Sequence, residues 1–532
     1  MVNKIEEVEL LPDPARIVSG LRDTGYNFNT AIADIVDNSI AAKATNIAIR
    51  VNMDPMQKVS VYIADNGCGM DMEGLKNAMK YGSKERSEKN SLGKFGLGLK
   101  TASTAFCRQL SLISRTSSDM AERKVQWDLD HISNVGSWKL KIVDVEEDEI
   151  DFLDEVAQGS SGTLVVWNKV DRLLKSYKKS GNAQTALRKK IEDLRFHLSM
   201  VFQRFLDSDD SRAANVTIVL NDELVKPWDP FCIKEPKTAH LQSEKVPVEI
   251  EGSEKSSFVI NAYVIPRKSE FSSKEASDEA RGNNDFQGFY VYRENRLIHY
   301  GDWLGFFIKE PHYSLLRVDF SFTQELDELL NVDIKKSRIM LISELSEYLM
   351  NFLAAPRREA QKRYRDGETK SIRKIGKEAH DSSNSSIDAK APEVENSRMT
   401  PTGNPDEVVV DNPYGSFTKK ITIGEAQVPS QNRVIPVQSI EGNALWEPAL
   451  VDNKHAVYIN ENHDFYKKVY GPILAKGVIV EGLDDLLWAL AEAENSTCNQ
   501  ASIENYEDMR FTVSRILKKL VADLPDPEMS EA

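Results

Sequence analysis

The stretch that decides the fold is Ala-Asp-Ile-Val-Asp-Asn at residues 33–38, where acidic and amide side chains share one segment with large aliphatic residues. The pattern predicts a helix, and Asp34 and Asn38 then project from one face, a turn apart. An amide oxygen suits a magnesium ion that also holds phosphates, and a carboxylate one turn away can deprotonate an attacking water. The alternative is that these side chains form the solvated face of an amphipathic helix.

A second stretch, Asp-Asn-Gly-Cys-Gly-Met at residues 65–70, directly follows a predicted strand over residues 58–64. A carboxylate at a strand end can accept a hydrogen bond from an exocyclic amine, which favours adenine over guanine. Glycines let the backbone pass close to a flat base. Thr163, on a later strand, can add a hydroxyl beside this acceptor. The alternatives are that Asp-Asn-Gly is a common turn signal and that Thr163 is an ordinary strand threonine. The predicted base contacts are Asp65, Gly67, Gly69, Met70 and Thr163.

The third stretch is Gly-Lys-Phe-Gly-Leu-Gly-Leu-Lys at residues 93–100. Its glycines let backbone N–H groups turn toward an anion, and the helix that follows adds its positive end. The spacing is neither a Walker loop nor a dinucleotide-binding fingerprint. Three such stretches in this order within about seventy residues predict one nucleotide pocket. The predicted phosphate contacts are Gly93, Lys94, Phe95, Gly96, Leu97, Gly98 and Lys100.

Composition and charge place the chain in a broad class. It has 532 residues and a net charge of −15, which argues against coating nucleic acid with the whole surface but permits a local basic patch. The four cysteines are scattered without a CxxC pair, so reduced thiols in a cytoplasmic protein are expected. No export signal and no apolar run of membrane-spanning length is visible, so no membrane association is expected.

The order of predicted elements indicates an α+β sandwich with helices on one sheet face, closed by a helix near residues 183–206. A second α+β unit is predicted to begin with the strand at 216–220. Residues 357–377 contain nine Lys or Arg and three Asp or Glu, and residues 380–415 are too polar to offset the entropy of ordering. A small C-terminal unit, with a packing or dimerisation role, is expected near 433–525.

The ordered motifs resemble the GHKL ATPases (gyrase, the large heat-shock chaperone, histidine kinases and MutL), whose pocket is called the Bergerat fold. Within that group the chain is most similar to MORC-type ATPases and their bacterial relatives. Residues 288–298 are similar to a MORC signature in the transducer domain, and residues 331–338 lie where the family offers a lysine to the γ-phosphate. The resemblance covers about residues 10–350. It implies an ATP-binding domain over 1–210, a transducer-like domain over 211–356, a basic stretch and flexible linker over 357–430, and a small C-terminal α+β domain over 431–532.

The resemblance also implies ATP and Mg²⁺ as cofactors, with Asn38 as the magnesium ligand and Asp65 as the adenine acceptor. Lys335 or Lys336 would be the transducer lysine, with Lys336 favoured. The family's general base is a glutamate where this chain has Asp34. Because aspartate is one methylene shorter and a misplacement of about 1 Å can cost about a hundredfold in rate, slow hydrolysis is expected.

The function expected from this resemblance is a nucleotide-gated clamp, in which ATP promotes a homodimer and hydrolysis releases it. The clamp would act on double-stranded DNA, a client protein or a co-encoded partner, and bacterial genome defence is one setting. The alternative is a chaperone-like or interaction protein with negligible turnover. A histidine kinase is disfavoured because no phospho-accepting helix precedes the pocket.

Overall fold

The structure is a computed structural model, and it forms two compact units, residues 1–360 and residues 361–532, called here the N-terminal and C-terminal units. Each unit is described by itself. The structure describes residues 13–23, 25–80, 98–174, 180–248, 256–327, 330, 343–426, 432–473, 478–497, 499–522 and 524.

An eight-stranded sheet dominates the first part of the N-terminal unit, in the order β5-β4-β3-β6-β2-β1-β7-β8. Its strands are β1 Asn46–Met53, β2 Val59–Asp65, β3 Cys107–Thr116, β4 Asp119–Asp128, β5 Lys141–Val143, β6 Gly162–Val170, β7 Thr217–Leu220 and β8 Glu223–Leu224. The helices of this part are α1 Pro14–Arg22, α2 Phe28–Ala41, α3 Met72–Met79, α4 Gly98–Phe106, α5 Leu129–Val135, α6 Glu147–Ala157, α7 Ser180–Val201 and α8 Gln203–Leu206. The α+β class predicted from the sequence is confirmed.

Alternating burial along β2 explains why helices cover this sheet. Val61 and Ile63 join the core that holds α2, α4 and α7, whereas Ala64 faces the other side. That other side is covered by α6, through Phe152 and Leu153. The expectation of helices on one sheet face is therefore wrong, because the amphipathic pattern of residues 147–157 was not recognised among its many acidic residues.

The strand expected to open the second unit lies elsewhere. β7 pairs in parallel with β1, with Asn46 opposite Thr217 and Ile49 opposite Leu220, so it extends the first sheet. Its pattern of apolar residues fits either sheet, and only the parallel pairing across a long chain separation decides between them.

A second sheet of the N-terminal unit has the order β12-β11-β13-β10-β9. Its strands are β9 Ala239–Val248, β10 Ser256–Val264, β11 Gly288–Arg293, β12 Arg296–Asp302 and β13 Leu316–Phe322. The helices of this part are α9 Lys274–Ala280 and α10 Ser343–Ala379, of which residues 343–360 belong to the N-terminal unit. A two-residue turn joins β11 to β12. Both of its residues, Glu294 and Asn295, have positive φ angles of 49° and 67°, the combination that fits a tight hairpin between twisted strands.

The C-terminal unit contains a three-stranded and a four-stranded sheet. Its elements are α11 Asp381–Val394, β14 Arg398–Pro401, β15 Glu407–Asn412, β16 Gly415–Lys420, β17 Thr422–Gly424, β18 Val434–Val437, β19 Trp446–Val451, β20 Lys454–Asn460, α12 Gly471–Ile473, α13 Val478–Asn495 and α14 Gln500–Leu520. Ile387 and Ala391 of α11 are buried, with 5% and 0% of their surface exposed.

The expectation of a flexible linker over residues 357–430 is therefore wrong for residues 381–424, which form one helix and four strands. The polar composition of this segment was a misleading guide, because buried polar side chains with hydrogen-bond partners hold the segment in a fixed structure. Asn384 is buried, its amide nitrogen donates to the carbonyl of Val434 at 3.0 Å, and its amide oxygen accepts from the N–H of Arg433 at 2.7 Å. Buried polar groups with partners can replace apolar contacts in fixing a segment.

The helices of the described residues were also compared with the thickness of a lipid bilayer. Within the parts of the chain that the structure describes, each helix is too short or too polar to cross a membrane.

Candidate nucleotide-binding site

Helix α2 carries the central side chains of the site. Asn27 caps its first turn by accepting a hydrogen bond from the N–H of Thr30 at 2.9 Å. Its apolar residues, among them Ile32 and Val36, are fully buried against the sheet. Phe28 packs edge-on against Trp167 of β6 with ring centroids 6.3 Å apart, which fixes the start of the helix over the sheet centre.

At the C-terminal end of α2, Ser39 reaches the carboxylate of Asp65, the last residue of β2. The Ser39 hydroxyl donates to Asp65 Oδ2 at 2.7 Å, and the N–H of Gly67 donates to Asp65 Oδ1 at 2.9 Å. Asp65 is 5% exposed. Burial raises the pKa of this carboxyl, and the hydrogen bonds from Ser39 and from the backbone of Gly67 and Thr163 oppose that rise. The donors around Asp65 are therefore neutral groups, which leaves a buried acceptor suited to an amine.

Thr163 lies opposite Asp65 in the β2–β6 pairing, as the sequence predicted for a neighbour of the acceptor. Its hydroxyl is 2.9 Å from the hydroxyl of Ser114 on β3. Ser114 Oγ also donates to the carbonyl of Gly162 at 2.8 Å and accepts from the N–H of Met70 at 2.8 Å. Ser114 was missed by sequence reasoning, since a strand serine carries no distinguishing signal until the register of β3 against β6 is known.

The two glycines after Asp65 are needed for close backbone approaches. A Cβ on Gly67 would lie 2.8 Å from the Cβ of Ala42, at the end of α2. Gly69 has a φ of +68°, and a Cβ there would lie 1.9 Å from the carbonyl oxygen of Arg115. Both glycines therefore let the turn after β2 sit tightly between α2 and β3, and their predicted contact with a base stays a prediction.

Asp34, in the middle of α2, lies next to the start of α4. A Cβ built on Gly98, the first residue of α4, would lie 3.9 Å from Asp34 Oδ2. The hydroxyl of Tyr26 donates to the same oxygen at 3.1 Å. Burial and the negative charge of Asp34 raise the pKa of Tyr26, so the phenol stays protonated as a donor. A carboxylate and the positive end of a nine-residue helix therefore meet at this point.

Asn38 lies one turn beyond Asp34. Its amide nitrogen donates to the main-chain carbonyl of Asp34 at 3.0 Å. This bond orients the amide group, and the amide oxygen is the atom that a hard cation such as magnesium prefers. The arrangement fits the magnesium ligand that the family resemblance implies, and that role stays a proposal.

Sequence reasoning missed Arg296, the first residue of β12. Its Nε donates to Asp37 Oδ1 at 2.8 Å, and its Nη2 lies 3.5 Å from Asp34 Oδ1. Arg296 and Asp37 are both buried, with 4% and 1% of their surface exposed. Two signals in the sequence could have found it. Arg296 lies in the signature at residues 288–298, and two carboxylates three residues apart on a largely apolar helix require a cation from elsewhere.

Lys100, on the first turn of α4, contacts the end of helix α3. Its ammonium donates to the carbonyl oxygens of Ala78 and Lys80, at 3.0 and 2.6 Å, at the C-terminal end of α3. The side chain is 1% exposed, and burial lowers its pKa to about 8. In this structure Lys100 ties α3 to α4, because a cation satisfies the last carbonyls of a helix. Its predicted place near the phosphates stays a prediction.

Seven predicted site residues lie outside the described residues. They are Gly93, Lys94, Phe95, Gly96, Leu97, Lys335 and Lys336. Their predicted contacts with phosphate stay predictions.

The eight-stranded sheet, α2 with its carboxylates Asp34 and Asp37, and Asp65 at the end of β2 together define a nucleotide-binding domain of the Bergerat type. Residues 26–163 match the family model for the histidine kinase-, DNA gyrase B- and HSP90-like ATPases, so this region is a domain of the GHKL ATPase family. Among solved structures, the chain is similar to the N-terminal domain of a DNA repair protein, with 17% identity over 67% of this chain and 99% of the other. The TM-score of 0.38 is too low for that likeness to carry an argument. No curated protein matches the chain.

Proposed function

We propose that this protein is a magnesium-dependent ATPase in which ATP gates the association of two chains into a clamp that acts in DNA-related processes, such as bacterial genome defence. The family of residues 26–163 supports ATP binding. Hydrolysis, the clamp, the DNA substrate and the kinship with MORC-type ATPases are the parts that the proposal adds.

The observation that carries the proposal is the arrangement along α2. Asp34 lies beside Gly98 at the start of α4, and Ser39 is hydrogen-bonded to Asp65 at the end of β2. The two positions are five residues apart, or about 7.5 Å along the helix axis. One helix thus spans from a site for a base at Asp65 to a site for phosphates at the start of α4.

Each residue has a definite task in this proposal. Asp65 accepts a hydrogen bond from the adenine amine, and Asn38 holds magnesium through its amide oxygen. Bound magnesium would neutralise phosphate charge. Asp34 orients a water and takes its proton. Lys336, or Lys335, and the glycine-rich turn at residues 93–98 would grip the terminal phosphate.

The DNA part of the proposal depends on the basic run over residues 357–377 in α10. Arg357, at its start, stacks on the rings of Phe307 and Tyr313, 3.7 and 4.2 Å from their centroids. Contacts to DNA phosphates would therefore come from the later cations of the run. A client protein or a co-encoded partner is the other proposed target.

A second candidate function is a nucleotide-dependent interaction or chaperone-like protein with negligible turnover. The contacts of Asp34 favour it, because the short carboxylate already binds Tyr26 and lies near Arg296. A carboxylate held by a cation is a weaker base.

Two measurements separate these candidates. The full chain is assayed for ATP hydrolysis, and its mass is measured with and without a non-hydrolysable ATP analogue and magnesium. The proposed enzyme hydrolyses ATP and doubles its mass with the analogue, and added duplex DNA binds in a salt-sensitive way. Binding and doubling without turnover would support the second candidate, and an unchanged mass would contradict the clamp.

A further inference from the structure

The pair of carboxylates on α2 is joined to the second sheet by a single guanidinium. Arg296 Nε donates to Asp37 Oδ1 at 2.8 Å, and Arg296 Nη2 lies 3.5 Å from Asp34 Oδ1. Asp34 is also held from the opposite direction by the hydroxyl of Tyr26 at 3.1 Å. Tyr26 and Arg296 therefore both orient the proposed general base, and Arg296 lies 262 positions away in the chain.

A buried guanidinium can transmit a movement of its own strand to the carboxylates that it binds. Its donors form a rigid planar fork, so a carboxylate bound to it is fixed in direction as well as distance. Because both Arg296 and Asp37 are nearly excluded from water, separating them would leave an uncompensated buried charge. Movement of the start of β12 must therefore move α2, or break this pair.

The β11–β12 hairpin that carries Arg296 is itself held at a second point. Arg293, at the end of β11, binds the carboxylate of Asp327 through Nε and Nη2, at 2.6 and 2.8 Å. Asp327 precedes the stretch 331–338, where the lysine for the γ-phosphate is predicted. The hairpin thus links α2 to the chain that leads toward that lysine.

We propose that Arg296 is a positioning residue that makes turnover at the α2 site depend on the β11–β12 hairpin, by holding Asp37 and Asp34 in one orientation. This inference rests on the proposed function, since it describes the regulation of the same site. The position of the hairpin therefore determines whether the Asp34 carboxylate is oriented toward the water that attacks the terminal phosphate.

The chain offers a matched control in Arg204. Its Nη2 donates to Asp319 Oδ1 of β13 at 2.8 Å, and the two side chains are 1% and 2% exposed. This pair also joins the first part of the N-terminal unit to the second sheet, with the same residue types, the same distance and the same burial. Arg204 also contacts the hairpin, through Asn295 Oδ1 at 3.3 Å and the ring of Tyr292 at 3.6 Å. Among its contacts in the described residues, none reaches α2, so its variants disturb the hairpin without removing the link to Asp37.

The test compares Arg296→Gln and Arg296→Lys with Arg204→Gln and Arg204→Lys in the full chain. Arg296→Gln should lower kcat by about 10- to 100-fold while the Kd for a non-hydrolysable ATP analogue stays unchanged, because the base is displaced and not the nucleotide. Arg296→Lys should recover part of the rate. If Arg296→Gln does not fold, the split between kcat and Kd is measured on Arg296→Lys alone. The Arg204 variants should lose comparable stability but much less of kcat, because they loosen the hairpin and leave the pair of Arg296 and Asp37 intact.

Several outcomes would overturn the inference. They are an unchanged kcat in the Arg296 variants, an equal loss of kcat in the Arg204 variants, or a Kd that rises in step with the loss of kcat. A wild-type chain that neither binds nor hydrolyses ATP would instead contradict the proposed function, and the inference would fall with it.

Hydrogen exchange provides a readout that does not depend on turnover. Binding of the ATP analogue with magnesium should slow amide exchange in β12 of the wild-type chain and of Arg204→Lys, and this change should be lost in Arg296→Gln although the analogue still binds. The coupling would be contradicted if the analogue did not change amide exchange in β12 of the wild-type chain. It would also be contradicted if the analogue slowed exchange equally in Arg296→Gln.

Discussion

The two carboxylate sites beside α2 are built in opposite ways. Asp65 lies at the end of β2, close to the C-terminal end of α2. It receives hydrogen bonds from two neutral donors, the hydroxyl of Ser39 in α2 and the N–H of Gly67 in the turn after β2. Asp34 and Asp37, in the middle of the helix, share the guanidinium of Arg296 from the second sheet.

In the proposed function, this difference separates recognition of the base from control of the rate. A carboxylate that is held only by neutral donors has no cation competing for its oxygens and can accept one more hydrogen bond, which is the requirement for reading an amine on a base. A carboxylate that shares a cation responds when that cation moves, which is the requirement for a site that is switched from a distance. Asp65 should therefore govern affinity, and the Asp34 site should govern rate.

The largest effect that would sharpen this comparison is expected at Asp34. Asp34→Asn removes the proposed base while preserving shape, and it should lower kcat by about 100- to 10,000-fold without weakening the binding of an ATP analogue. Steady-state hydrolysis and calorimetry on the same preparation measure both quantities.

The control for this variant is Tyr26→Phe, which removes only the hydroxyl bound to Asp34. It should lower kcat less than Asp34→Asn does. Turnover by Asp34→Asn at the wild-type rate would break the assignment of rate to this end of the site.

The next largest effect is expected at Asp65. In Asp65→Asn the buried acceptor loses its charge, so the Kd for an ATP analogue should rise by about 10- to 100-fold, the range expected for a charged hydrogen bond. Calorimetry measures this change. Asp54→Asn, at the turn between β1 and β2, serves as a control because the Asp54 side chain accepts its hydrogen bond from the N–H of Lys58, within its own turn. Unchanged affinity in Asp65→Asn would place the base elsewhere.

A smaller effect on affinity is expected at Ser39. Ser39→Ala removes the 2.7 Å hydrogen bond to Asp65 and leaves the carboxylate in place. The Kd for the analogue should rise by only about 2- to 10-fold, which corresponds to one ordinary hydrogen bond. A loss of kcat at constant Kd would contradict the division between the two ends of α2.

The smallest effect concerns His197 of α7, which lies near Arg296 and Asp37. Burial lowers its pKa to about 4, the positive charge of Arg296 lowers it too, and the negative charge of Asp37 opposes both. The folded chain thus holds a neutral imidazole, and the unfolded chain takes up a proton below its ordinary pKa of about 6.5. The contribution of His197 to stability should be present above about pH 6.5 and lost as the pH falls toward 4.

Urea unfolding of the wild type and of His197→Gln at several pH values between these limits measures this contribution. The variant should lose less stability than the wild type as the solution is acidified. Parallel losses in the two proteins would show that His197 is not held neutral by its surroundings.

Local sequence determined much of the site. The spacing of Asp34 and Asn38 predicted their common helix face, and the strand that ends at Asp65 was predicted with the turn after it. These features depend on neighbours within a few residues, where periodicity and turn chemistry are decisive. The position of Thr163 beside Asp65 was also predicted, from its place on a later strand, and the pairing of β2 with β6 brings the two residues opposite each other.

The remaining features depend on distant pairings. Arg296 reaches α2 from a hairpin that is predictable as a hairpin, but nothing local states which surface its first residue will meet. β7 joined the first sheet through its register against β1. Lys100 turned to the carbonyls of α3 because burial and helix ends, and not its place in a glycine-rich motif, decide where an ammonium finds partners.

The most direct test of the central claim is a calorimetric titration of the full chain, with magnesium present, by non-hydrolysable analogues of ATP and of GTP. A base read by the carboxylate of Asp65 predicts one adenine nucleotide bound per chain and much weaker binding of the guanine nucleotide, which presents an oxygen where adenine presents an amine. Equal affinity for the two nucleotides, or no heat with the adenine nucleotide, would contradict the account.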